Sequence, residues 1–454
     1  MRLSESTLDL VPADIARFDY DRAAQAVGII HFGIGAFHRG HQAWYTDLAM
    51  DAGARDWAMC GVSLRSASVA DQLGPQDGLY ALTERAEGSR TRVIGAVREV
   101  LVAGRDREAA IARIAAPECR IVSFTVTEKG YARAADGSLD LALAEASFYP
   151  LLSEALARRM AGGLPGVTLL CCDNLPDNGR TLARLLGQWL GARSHGLAGW
   201  VERECACPGT MIDRIVPATT SPDLDDLEAR LGLRDEGAVF TEPFSQWVIE
   251  DRFAGSRPAW DKVGAQLVRD VAPYETAKLR MLNGAHSALA YLGLERGHEY
   301  VHQAIADAEL RALAQRLMRQ EAATSFVAAP GQDLSGYADA LLGRFENPAL
   351  QHRLMQIAMD GSQKIPQRWL ETLAYHQRRG NRCPAILEAL AAWLRHVRGD
   401  ARPVDDPMAT QLAELWAEAG ASGIAVALFG RQGLFAHAWQ ADETALAELT
   451  AKLA

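Results

Sequence analysis

The chain has 454 residues, 49% hydrophobic and 23% charged, with 47 Lys and Arg against 57 Asp and Glu and a formal net charge of −10. That length exceeds one hydrophobic core and predicts two or three domains, in a composition ordinary for a globular protein. The acidic balance, with no compensating basic run, excludes a general nucleic-acid or anionic-membrane surface.

The seven cysteines, Cys60, Cys119, Cys171, Cys172, Cys205, Cys207 and Cys383, lack the paired CxxC spacing of a zinc site. They read as free thiols of a reducing cytosol, with no metal. The opening MRLSESTLDLVPAD has no basic-then-apolar signal pattern, and no run approaches eighteen apolar residues. A cytoplasmic protein that engages no membrane is the expectation.

In chain order, Val27–Phe32 is a short apolar run of strand type. It meets the glycine turn Gly33-Ile34-Gly35-Ala36-Phe37, and Gln42–Met50 follows as a helix. Strand, glycine turn and helix are the context of a dinucleotide site, where glycine lets the backbone approach a pyrophosphate. The spacing GxGxxxxG departs from GxGxxG, and a plain strand-to-helix turn fits the same residues. Trp57–Leu64 predicts the next parallel strand, ending in Arg65 with no acidic residue before Asp71 to take ribose hydroxyls.

Short strands are predicted at Tyr80–Thr83 and Thr91–Gly95, helices at Glu108–Ala115 and Phe148–Met160, and buried strands at Arg120–Thr127 and Val167–Cys172. The last stops at Asp173-Asn174, which puts Asn174 at a carboxyl edge where open α/β sheets bind ligands, although Asn is also a good turn former. Met211–Pro217 and Thr241–Glu250 read as strands. From about residue 270 the texture turns helical: 278–294, 302–326, 334–344, 350–359, 367–379, 384–398, 412–419 and 441–453. The fold class is α/β, a Rossmann-type domain over 1–268 followed by a mainly α-helical domain over 269–454.

The helical stretch Pro273–Gly293 carries Lys278, Asn283 and His286 within nine residues. On an α-helix Asn283 lies roughly 140° and His286 roughly 80° around from Lys278, so all three fit one wide groove. Such a set suits moving a proton on or off an alcohol oxygen, provided burial lowers the lysine pKa. A surface lysine, a helix-bending Asn-Gly and a hydrogen-bonded core histidine account for the same letters. Glu275, one turn earlier, is either a proton relay or an ion-pair partner of Lys278.

The segments GIGAFHRGHQAWYTD, SFTVTEKGY, CCDNLPDNG, MIDRIVP, EPFSQWVIED, RPAWDKVGAQ, KLRMLNGAHSALAYLG and MDGSQKIPQRW together resemble the long-chain polyol (mannitol) dehydrogenase family. The match runs in order from about residue 27 to the low 370s. The resemblance implies a Rossmann-type domain, a helical domain and a substrate cleft between them. It implies metal-independent hydride transfer with NAD, NADP being possible. Carried over by position, Lys278 is the acid/base, Asn283 and Asn174 hold the reacting oxygen, and His286 positions the substrate. Asp213 and Lys364 are further substrate contacts. Gly33, Ile34, Gly35, Ala36, Phe37, Arg65, Thr127 and Glu128 fall at the cofactor.

The stretch His352–Arg368, HRLMQIAMDGSQKIPQR, is worded like fructuronate-reducing members of the family. Gln356 stands where mannitol-oxidising members resemble an arginine. Arg353, with Lys364, would hold a uronate carboxylate; a solvated helix arginine is the alternative. The implied substrate pair is D-fructuronate and D-mannonate, with D-mannitol or D-arabinitol next and a catalytically silent sugar-acid sensor as the remote case. The partner is a small molecule, and the protein is expected as a monomer or weak oligomer.

Overall fold

A computed structural model describes residues 1–134 and 136–453. The chain divides into two units, Met1–Val271 and Ala272–Ala454.

The first unit is built on a five-stranded sheet: β1 (Val27–Phe32), β2 (Ala58–Ser63), β3 (Val97–Val102), β4 (Ile121–Phe124) and β5 (Thr168–Cys171). The order is β3-β2-β1-β4-β5 and every pairing is parallel, with Ile30 opposite both Cys60 and Val122. The strands are apolar on both faces because the sheet is covered on both. Ile30, Phe32, Val62, Val122 and Leu169 pack under helices Arg107–Ala115, Tyr149–Ala161 and Asn178–Gly191. Ile29, Met59, Ile121 and Leu170 face the opposite core, with Tyr45, Trp247 and Trp260. Strand order reverses across β1, which puts a switch point at the carboxyl ends of β1 and β4, where doubly wound sheets bind ligands.

Two small sheets complete the unit. One joins Ala16–Arg17, Arg90–Ile94, Tyr80–Glu84 and Val239–Thr241; the other joins Gln266–Val268, Gln246–Glu250 and Thr210–Asp213. The run expected as one strand, Thr241–Glu250, therefore serves two sheets. Pro243 lies at the break, and proline cannot donate to a ladder.

The second unit is helical. Its centre is Gly284–Glu295, buried at every position through Leu294, which an all-round apolar helix requires. Gly293 permits the close approach of its neighbours: a Cβ there would lie 2.8 Å from Leu354 Cδ1 and 3.0 Å from Ala304 Cβ.

Two expected helices are interrupted. The 302–326 run breaks at Asp307, whose carboxylate accepts from Glu309 N at 2.9 Å and Leu310 N at 3.2 Å and starts a new helix, Ala308–Arg316. The 350–359 run shrinks to Leu354–Ala358, because Gln351 sits at φ 44°. The expected 412–419 helix extends over Ala409–Phe429, with Gly420 kinking it at φ 61°. By length and composition alone Ala409–Phe429 would cross a bilayer. Its Leu412, Trp416, Ile424, Leu428 and Phe429 belong to the core of this unit.

Candidate active site

In the first unit the glycine turn follows β1. Gly33 adopts φ 92°, and a Cβ on it would lie 2.0 Å from the Thr125 carbonyl oxygen, so only glycine fits. Gly35 differs. Its backbone is ordinary at φ −77°, and a Cβ would find nothing nearer than the Gly33 carbonyl oxygen at 3.9 Å. Neither packing nor conformation demands glycine at 35, which leaves close approach of a ligand as the physical reason for it. Ile34 is 1% exposed, and its Cδ1 fills the notch left by the missing Cβ of Gly61, so only its backbone faces the turn. Ala36 and Phe37, both half-buried, open the helix Ala36–Gly40.

Beneath the turn lies a buried histidine network that sequence reasoning did not single out. Thr125 directs its one hydroxyl proton to the Gly33 carbonyl at 2.7 Å. It therefore accepts from His31 Nε2 at 2.8 Å, which leaves His31 Nδ1 to accept from the Ser123 hydroxyl at 2.8 Å. His38 stacks on His31 with ring centroids 3.4 Å apart. Burial, followed by neighbouring imidazoles, pushes both well below the ordinary histidine range, so both are neutral.

At the carboxyl end of β2, Arg65 is exposed, and the first acid beyond it, Asp71, is in the first turn of helix Ser68–Leu73. After β4, Thr127 and Glu128 are exposed, and Thr127 is held at φ 64°, unusual for a β-branched residue. The clamp is Asp173, which directly follows the β5 run. Its carboxylate accepts from Val126 N at 2.9 Å, Thr127 N at 3.0 Å and the Tyr131 hydroxyl at 2.7 Å. The sequence reading passed over Asp173 in favour of Asn174; an acid at a strand terminus beside a glycine-turn sheet was the available signal. Asn174 is exposed, and Asp213, the last residue of its strand, is 2% exposed.

In the second unit the ideal-helix geometry for Lys278 needs correction. Ala272–Ala277 leads into a π-helical segment, Lys278–Asn283, before the α-helix Gly284–Glu295. The i→i+5 bonding of a π turn brings Asn283 much closer to the face of Lys278 than α geometry does. The widened turn leaves carbonyls in need of donors. Trp369 Nε1 supplies Gly284 O at 3.1 Å, and Arg368 Nη1 reaches Asn283 O at 3.4 Å. Both donors come from a second π segment, Pro366–Leu370, where proline removes an α-helical N–H. A third, Leu317–Ala322, packs on the first and carries Glu321, which accepts Ala385 N and Ile386 N at 2.8 Å each.

Glu275, Lys278 and Asn283 are half-buried. His286, 7% exposed, lies against Phe345 at 4.6 Å and His352 at 5.2 Å between centroids, and burial pushes its pKa well down. Lys364 Nζ donates to Met359 O at 2.5 Å and stands 3.9 Å from Asp360; burial, then the Arg368 charge, lowers its pKa. Arg353 sits just before helix Leu354–Ala358 with its side chain 64% exposed and 3.4 Å from Glu299, and Gln356 is exposed on that helix. Among the described residues no group of three or more His, Cys, Asp or Glu is placed to hold a metal ion.

Family models match both units: the mannitol dehydrogenase Rossmann domain over residues 27–262, and the mannitol dehydrogenase C-terminal domain over 270–453. The chain belongs to the mannitol dehydrogenase family. It is 40% identical to the D-mannonate oxidoreductase of Escherichia coli, across 93% of this chain and 91% of that protein. Against the mannitol 2-dehydrogenase of Phaeosphaeria nodorum identity is 37%, across 90% and 78%. Among solved structures, the Pseudomonas fluorescens mannitol 2-dehydrogenase in ternary complex with NAD and D-mannitol superposes with TM-score 0.85 at 33% identity, covering 100% of this chain and 96% of that one. A D-sorbitol dehydrogenase in substrate-free form gives 0.91 at 32%, with the same coverage. This mannitol dehydrogenase family member is thus an oxidoreductase whose sheet is the family's Rossmann sheet.

Proposed function

We propose that this protein interconverts D-fructuronate and D-mannonate with NAD, in the cytoplasm. The observation that carries the reading is the near full-length similarity to a D-mannonate oxidoreductase, at 40% identity over 444 residues. Gln356 and Lys364 in the fructuronate-reductase wording support it.

The residues fit a dinucleotide. Gly33 shapes the turn, Gly35 lacks a Cβ where nothing of the protein needs the space, and the backbone of Ile34, Ala36 and Phe37 follows. Arg65, Thr127 and Glu128 lie on loops at the carboxyl ends of β2 and β4. Bound there, NAD supplies the hydride acceptor or donor.

The chain's own residues handle the proton and the charge. Lys278, protonated, delivers a proton to the carbonyl oxygen during reduction, and as a neutral amine removes it from the alcohol during oxidation. Asn174 and Asn283 amides donate to that oxygen, where negative charge builds, an interaction worth about 3 kcal/mol per donor. His286, kept neutral by burial, has the donor and acceptor pattern to position a hydroxyl. Asp213, Gln356 and Lys364 hold the remaining polar groups, and Glu275 relays the proton.

The test is the ratio of kcat/KM for fructuronate reduction to that for fructose reduction. A carboxylate contact worth about 2–3 kcal/mol favours fructuronate by about 30- to 150-fold. A ratio at or below one leaves a polyol dehydrogenase acting on D-mannitol or D-arabinitol, the reading favoured by the neighbour holding D-mannitol. Inertness with both cofactors would leave a sugar-acid sensor.

A further inference from the structure

Buried arginines in this chain are, with one exception, fully engaged. Arg159 makes four hydrogen bonds, Nε and Nη2 to Pro165 O and Nη1 to Ile114 O and Ala116 O. Arg214 pairs with Glu84 at 2.7 Å and Arg22 pairs with Glu5. Arg368 has no such arrangement. Nη1 donates to the Ser287 hydroxyl at 2.7 Å and weakly to Asn283 O at 3.4 Å; Nε and Nη2 have no acceptor among the described residues. No carboxylate among them lies within 4 Å of the guanidinium. The group is half-buried, and burial pulls its pKa down to about 10.

A second cation stands beside it. Lys364 is four residues earlier, and the Arg368 charge is the second cause of its lowered pKa. The same charge acts on His286. Like charges four apart on one helical run repel. A half-buried guanidinium with two idle donors, next to a desolvated ammonium, is an arrangement an arriving anion stabilises. The shape is selective too, since a planar fork with parallel N–H groups matches a carboxylate and a point ammonium does not. Arg353, the fork expected from sequence, is 64% exposed and already 3.4 Å from Glu299.

We infer that Arg368, with Lys364 beside it, is the anchor for the carboxylate of a sugar-acid substrate, and that the free Nε–Nη2 edge of its guanidinium sets the preference of this protein for uronates over neutral ketoses. The inference rests on the sugar-acid reading above. It deepens that reading by moving specificity onto a residue of the Pro366–Leu370 π segment.

The experiment compares kcat/KM for fructuronate and for fructose in the full-length protein, its Arg368→Gln variant and its Arg368→Lys variant, with folding checked by circular dichroism. The anchor predicts that Arg368→Gln loses at least about thirtyfold more on fructuronate than on fructose. Arg368→Lys, which keeps charge and loses the fork, restores part of that selectivity. Equal losses on the two substrates, in a wild-type protein that prefers fructuronate, overturn the anchor and leave the sugar-acid reading standing, with Arg368 reduced to supporting the Asn283 turn. A wild-type protein without preference overturns both together. Should Arg368→Gln not fold, Arg368→Lys decides alone: undiminished selectivity in it overturns the role of the fork.

Discussion

The Asp173 carboxylate accepts the backbone N–H of Thr127 at 3.0 Å, so the residue that ends one strand holds the strained turn that follows its neighbour. Strain at a ligand-binding edge persists only when its surroundings impose it. Removing the carboxylate frees Thr127 to relax towards negative φ. Asp173→Ala is expected to weaken NAD binding by about ten- to a hundredfold, the effect of losing one or two charge-assisted bonds of about 1.5–3 kcal/mol. Titration of NADH fluorescence measures it. Unchanged affinity would show that the turn is held without the aspartate.

The acid/base role of Lys278 predicts a different signature. Lys278→Ala should lower kcat by about 10²–10⁴-fold while NADH still binds. A variant retaining more than about a tenth of wild-type turnover removes Lys278 from the proton step.

Much of this site is written plainly in the sequence, and the reason is local. Val27–Phe32 is apolar because both faces of a parallel sheet are covered, and Gly33 is glycine because its carbonyl neighbour leaves no room for a Cβ. The edge strand Val97–Val102 is hard to read, since its middle residues are only half-buried and break the apolar run. The π turn at Lys278–Asn283 leaves no mark in a 3.6-residue period, because its extra residue is stabilised by Trp369 and Arg368 from far along the chain. Asp173 looked like a turn residue because its three partners lie between residues 126 and 131.

The two glycines of the turn should separate stability from binding. Gly33→Ala meets Thr125 O and a strained φ, so it is expected to lower Tm by several degrees. Gly35→Ala has open space and an ordinary φ. Its Tm should stay near wild type while NAD affinity falls at least tenfold. Wild-type affinity in Gly35→Ala would mean no ligand backbone comes near.

Cofactor choice follows from what stands after β2. Arg65 is exposed and no acid precedes Asp71, so little repels a 2′-phosphate. Measurable NADP use is expected, with a kcat/KM preference for NAD below about a thousandfold, which corresponds to about 4 kcal/mol. A larger preference places phosphate exclusion on another residue.

Acid should weaken the fold before it protonates the carboxylates. His31, His38 and His286 all have folded pKa values well below 6.5 because they are buried. Below about pH 6.5 the unfolded chain takes up protons that the folded chain refuses, so stability rises with pH and is lost on acidification. Each histidine contributes about 1.4 kcal/mol per pH unit in that window. Asp47 and Asp235, raised by burial, oppose the trend nearer their own range. Tm should therefore fall between pH 7 and 5.5. A flat or rising Tm would mean that the folded chain accepts these protons.

The three π segments, Lys278–Asn283, Leu317–Ala322 and Pro366–Leu370, make chain length itself a structural variable in the second unit. Each holds a residue that an α-helix of the same rise would not contain. Deleting one residue from such a turn restores ordinary pitch and swings everything beyond it by about 100° relative to what precedes. Lys278 would then part from Asn283 without either side chain being changed. These segments should accept many substitutions but no single-residue insertion or deletion. Indels in a library of functional variants would therefore spare these three turns and gather in the loops outside them.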